Sequence, residues 1–134
     1  MPGSGISLAD AQSIVSAGEA VARAHGIAVA VSVVDEGGHL VAFERMDGAP
    51  FGTVRFSERK AMTSAALGLP TVAMAQAAGA VPGLISAAFD GIAFVAGGVP
   101  LVREGALVGG IGVAGGVGDQ DHIVATAAHA GLQG

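Results

Sequence analysis

The chain has 134 residues, 51% of them hydrophobic and only 13% charged, with a formal charge of −5 and no cysteine, tryptophan or tyrosine. This length fits one domain that buries about two-thirds of its unfolded surface. The composition excludes disulfides, thiolate metal sites and a cysteine nucleophile, and the acidic balance argues against a nucleic-acid surface.

So few charges give too little polar cover for a monomer, and the abundance of Ala, Gly and Val suits close subunit contacts; a homo-oligomer is expected. No signal peptide is read in the N-terminal segment, and no apolar run approaches the length of a membrane span. A soluble cytoplasmic protein is the expectation.

Residues 1–6 read as a mobile tail. Ser7 and Asp10 then resemble a capping box, and Leu8, Ala11, Ile14, Val15, Gly18, Val21 and Ala22 recur at helical spacing. Gly26 fits the left-handed stop of that helix. Ala28–Asp35 is short and β-branched, as a strand buried on both faces would be. Glu36-Gly37-Gly38-His39 is a hairpin turn and Leu40–Glu44 its returning strand.

A polar elbow over 45–50 leads into a helix over Gly52–Leu67, closed by Gly68 and Pro70. Thr71 reads as the cap of a short helix to Ala78, with a second piece over Leu84–Phe89. Ile92–Ala96 reads as a third strand, bent at Gly97-Gly98 and continued by Leu101–Arg103. Ala106–Ala114 is a glycine-rich strand. Gly109, Gly110 and Gly112 cost stability there unless something approaches the backbone closely, a neighbouring subunit or a flat ligand being the expected visitor. Asp119 reads as the cap of a last helix over Asp121–His129. Hairpin links between most strands imply an α/β (α+β) fold with an antiparallel sheet and helices outside it.

Four of the six basic residues, Arg45, Arg55, Arg59 and Lys60, fall between the second strand and the second helix. Ion pairs with Glu44, Asp47 and Glu58 would explain the cluster structurally; an anion-binding wall at a sheet-to-helix corner is the functional reading. Lys60 would hold a carboxylate or serve as a base or amine nucleophile; the structural alternative is an ion pair with Glu58, Asp47 or a neighbouring subunit. Arg45 offers a planar fork for a carboxylate or fixes the elbow through Asp47. Asp35 and His39 suit an acid/base pair, or Asp35 simply caps the turn.

His25 and His129 sit where helix C-termini favour a positive charge. No histidine pair has metal-ligand spacing, so no metal site is expected. The glycine run over 109–118 lacks the βαβ frame of a dinucleotide site.

Four blocks, VVDEGGHLVAFERMDGA, SERKAMTSAALGLPT, GGVPLVREGALVGGIGVAGG and the following Gln120-Asp121, resemble in order the GlcG/HbpS family, which includes the C-terminal domain of PduO-type proteins. The resemblance implies a profilin-like α/β sandwich with a five-stranded antiparallel sheet and assembly into dimer-based oligomers, often octamers. It implies haem as a cofactor, since several relatives bind it. Among haem's usual ligands only His and Met are present here, Met46 and Met62 bordering the basic segment, and the quoted blocks do not carry the relatives' ligand.

Two functions follow. The first is an oligomeric binding or accessory protein holding haem, another tetrapyrrole or a small anionic metabolite against Arg45, Asp47, Arg55, Arg59, Lys60, Gly110 and Gly112. The second is a cofactor-independent isomerase, lyase or hydrolase of a catabolic pathway, using Lys60, Glu58 and Asp35 with Arg45 on the substrate. A purely structural oligomer would show no pocket near these residues.

Overall fold

The computed structural model describes residues 5–132. Residues 1–4 of the expected tail lie outside the described residues; Ile6 is packed down, buried and donating its N–H to the Val108 carbonyl at 3.2 Å. Helix α1 (Leu8–Ala24) opens where Ser7 Oγ accepts from the Asp10 N–H at 3.0 Å and stops before Gly26, at φ 70°. Its buried stripe, Ala11, Ile14, Val15, Gly18 and Ala22, is the one the periodicity gave except at its edges, where Leu8 is exposed and Val21 only partly buried.

Strands β1 (Ala30–Asp35) and β2 (Leu40–Arg45) form the first hairpin. Strands β3 (Gly98–Arg103) and β4 (Ala106–Ala114) form the second, turning through Glu104 and Gly105. The two hairpins join through their inner strands, β1 antiparallel to β4, so the order is β2-β1-β4-β3. Both central strands are buried on both faces, which is why β1 is an unbroken run of small and β-branched residues.

Helix α2 (Gly52–Leu67) covers one face of the sheet; α1 and α5 (Gln120–His129) pack together on the other. Val31, Val33, Ile111 and Val113 point to α1 and α5 and make the main core with Ile14, Val15 and Val124. On the α2 side the contacts are smaller. Val34 meets Ala61 and Ala65, and the Ser32 and Ser57 hydroxyls bond at 2.8 Å.

The glycines of β4 explain this thin packing. A Cβ at Gly110 would collide with the Ala61 carbonyl oxygen, and one at Gly112 with the Ser57 carbonyl oxygen. The close visitor to Gly110 and Gly112 is therefore α2 of the same chain, and that to Gly109 the Val34 carbonyl of β1, not a flat ligand or a second subunit. Gly110 and Gly112 lie under the helix, where their lack of side chains sets its distance from the sheet.

Among the described residues the sheet has four strands, not the five expected. Ile92–Ala96 is irregular because its backbone is engaged by a helix: the Ala93 N–H donates to Thr63 Oγ1 of α2 at 2.8 Å. Strand pairing begins only at Gly98. Thr71 does not cap α3 (Thr71–Ala80), whose N-cap is Pro70. Its buried hydroxyl instead accepts the Gly98 N–H at 2.8 Å, tying α3 to the start of β3. A single turn, α4 (Leu84–Ala87), follows.

Candidate functional site

The basic residues expected at one corner are dispersed among three places. Arg55 and Arg59 lie one helical turn apart on the outer face of α2, both exposed. With Glu58 and Met62 of the same helix, and Val34, Gly38 and Leu40 of the first hairpin, they line an open cleft of about 440 Å³. Its lining combines the apolar Val34, Leu40 and Met62 with the charged Arg55, Glu58 and Arg59. Neither guanidinium forms an ion pair within 4 Å among the described residues. Like charges at this spacing repel by a few tenths of a kcal/mol, so this edge is left ready for an anion.

Lys60 follows Arg59 by one residue and points the opposite way. It is 4% exposed; its ammonium donates to the Val113 carbonyl at 2.9 Å and to Asp121 Oδ2 at 3.1 Å. Asp121 Oδ1 in turn accepts the Gly116 N–H at 2.7 Å. One buried ion pair thus links α2, the end of β4 and the start of α5. Its partner is neither Glu58 nor Asp47, and Lys60 lines neither the cleft nor the second depression described below.

Asp121 is the residue that reading the sequence missed. It lies 61 positions from Lys60, and its only signal was its place in the Gln120-Asp121 block. Asp119, expected to cap α5, makes no side-chain cap bond; Gln120 Oε1 closes the preceding loop by accepting the Val117 N–H at 2.8 Å.

Arg45 and Asp47 occupy a separate depression of about 430 Å³ where β2 meets α1, with Glu19, Arg23, Glu44 and Met46. Partial burial, together with the neighbouring Glu44 carboxylate, pushes the Glu19 carboxyl up to about 7, Arg23 opposing the shift. Glu19 therefore keeps its proton up to near neutral pH beside the Glu44 carboxylate.

Asp35 takes its structural alternative. Its Oδ1 accepts from the Gly37 N–H at 2.9 Å, the His39 N–H at 3.0 Å and His39 Nδ1 at 3.2 Å. The His39 N–H chiefly, opposed by partial burial and helped by Gly37 and the His39 ring, holds the carboxyl below the usual range. His39 is exposed and falls between the cleft residues Gly38 and Leu40. The structure thus gathers Arg55, Arg59 and Glu58 in one cleft with Asp35 and His39 at its edge; it separates them from Arg45 and Asp47, and buries Lys60. The combination of Lys60, Glu58 and Arg45 proposed for catalysis is not assembled in one pocket.

Of the remaining histidines, His25 and His129 have local settings, while the buried Nδ1 of His122 has no hydrogen-bond partner among the described residues. His129 Nε2 accepts the Val102 N–H at 3.2 Å and fastens α5 to β3, while His25 is the C-cap of α1. No group of three His, Cys, Asp or Glu side chains that could hold a metal occurs among the described residues. Nor does any described helix have the length and apolarity to cross a membrane.

Comparison with known proteins accords with this architecture. A family model described as "Haem degrading protein HbpS-like" matches residues 6–130. An uncharacterized 15.0 kDa protein of the dhaT-dhaS intergenic region of Citrobacter freundii is 35% identical over 126 residues, covering 92% of this chain and 89% of its own. The crystal structure of a double mutant of Streptomyces reticuli HbpS superposes with a TM-score of 0.90 at 33% identity, over 100% of this chain and 91% of that one. A crystal structure of a PduOC:haem complex gives 0.87 at 30% identity, over 96% and 95% of the two chains. With the family model spanning the domain from Ile6 to the end of α5, the chain belongs to the HbpS-like family.

Proposed function

We propose that this protein is an oligomeric binding protein that holds an amphipathic anion, haem or another tetrapyrrole carboxylate foremost, in the cleft between α2 and the first hairpin. One observation carries the reading: two guanidiniums without ion-pair partners among the described residues share the lining of one cleft with Val34, Leu40 and Met62. A planar apolar ring bearing carboxylates has the same division, with its face suited to the apolar lining and its acid groups to Arg55 and Arg59. Smaller anionic metabolites would use the arginines alone.

The donor set suits haem. Met62 lines the cleft and the exposed His39 falls between the lining residues Gly38 and Leu40, and both residue types serve as axial ligands of haem iron. When bound, haem would supply redox and ligand-binding chemistry at its iron. The chain's own residues neutralise the carboxylates, cover one face of the ring and limit water around it. The solved complex of a relative with haem supports this choice of ligand.

The oligomer rests on composition and surface: with 13% charged residues, the chain exposes Phe51, Phe56, Ile85 and Phe89 among other large apolar side chains. Titration with haemin, followed in the Soret region, tests the ligand. A saturable band shift at micromolar concentration is expected, and an unchanged spectrum removes haem. A cytoplasmic place and a role beside a catabolic pathway go with this reading.

A further inference from the structure

Between Lys60 and Asp90 the chain carries no charged residue. Its middle, α3 and α4, forms an arm anchored at both ends. Thr71 bonds to Gly98 at one end, and at the other the Ala93 N–H bonds to Thr63. Between these anchors the arm packs on very little. Thr71 is the one buried residue of α3, and α4 has none.

A helix apolar all round belongs in an interior. Val72, Ala73, Met74, Ala75, Ala77 and Ala78 make α3 apolar on all sides but that of the exposed Gln76, yet each of the six is only half-buried. On and beside the arm, Leu67, Leu69, Val81, Ile85 and Phe89 are 40–61% exposed. Together these five leave on the order of a few hundred Å² of apolar surface uncovered, the size at which a patch marks an interaction site. A standard interface takes about 800 Å² from each partner.

We infer that the arm is a self-association surface, covered by the same arm of a second copy of this chain. The inference rests on the proposed oligomer and assigns its contact. In a two-fold contact a patch meets itself, so a patch of one net sign meets the same sign. A chain of formal charge −5 satisfies that condition best over a surface without charges, and the stretch between Lys60 and Asp90 is that surface. A lipid surface is the poorer occupant. Helices that lie on membranes carry Lys and Arg along their polar face, whereas this arm has none and is followed by Asp90.

Sedimentation velocity of the full chain, beside Ile85→Glu and Phe89→Glu chains, tests the assignment. Both side chains are about 60% exposed, so the variants retain the wild-type circular dichroism. The wild type sediments as an oligomer, and each variant as a smaller species at the same concentration. Equal masses for an oligomeric wild type and both variants overturn the arm as the contact while leaving the oligomer intact. A monomeric wild type overturns both. Flotation of the wild type with 4:1 phosphatidylcholine:phosphatidylglycerol vesicles, abolished by Ile85→Glu, gives the surface to a membrane and overturns the second copy as occupant.

Discussion

The Lys60 ammonium and the Asp121 carboxylate lie 3.1 Å apart in the interior, each less than a tenth exposed. The pair joins the two sides of the sheet: Lys60 belongs to α2, Asp121 to α5, and the lysine also holds the last turn of β4 through Val113. Removing one member of a buried pair strands the other charge, at a cost of about 3–5 kcal/mol. Lys60→Met and Asp121→Leu should each lose that much in urea unfolding. The double variant should lose clearly less than the two single losses together. Independent, additive effects would show that the pair is not coupled.

The glycines of β4 make a second prediction. Any side chain at 112 meets the Ser57 carbonyl and the Ala61 nitrogen, which are backbone and cannot rotate away. Gly112→Ala should cost at least about 1–3 kcal/mol, the usual range for overpacking a core, and lower the melting temperature accordingly. Gly52→Ala, at a helix position with open space around its Cβ, should be neutral or slightly stabilising. Equal melting temperatures for the two variants would contradict the close approach of α2.

Much of this architecture was legible in the residues. Gly52–Leu67 was bounded correctly because Gly68 and Pro70 punctuate its end, and Gly68 takes the left-handed φ of 67°. The β4 glycines announced a close approach but not the visitor, since a glycine is silent about what replaces its side chain. Ile92–Ala96 misled because a short apolar run reads alike in a strand and in a segment clamped by a helix; the Thr63 hydroxyl decides between them.

In the sequence the four cations read as one corner, although helical geometry already parts Lys60 from the two arginines. Positions 55 and 59 are about 40° apart around a helix, whereas 60 lies about 140° from 55. Lys60 therefore had to leave the face that carries the two arginines. Its partner was hidden by distance along the chain, as long-range pairing generally is.

The Glu19–Glu44 pair gives a pH dependence. A carboxyl raised to about 7 binds more protons folded than unfolded between its ordinary value near 4.5 and 7. Stability therefore falls as pH rises through that window. With the screening of a partly exposed site, the loss should be about 1 kcal/mol between pH 5 and 8. Glu19→Gln, neutral throughout, should flatten that slope in urea unfolding at the two pH values. An unchanged slope would contradict the raised Glu19 carboxyl.

Haemin affinity, measured by Soret titration for the wild type and for Arg55→Ala/Arg59→Ala, tests the cleft most directly. Both arginines are exposed, so the double variant should keep the wild-type melting temperature. Losing two charge-assisted contacts, at about 1.5 kcal/mol or more each, should weaken binding by at least about a hundredfold. Raised salt should reduce that gap. Equal affinity in the two proteins would place the ligand elsewhere on the molecule and contradict the role of these guanidiniums.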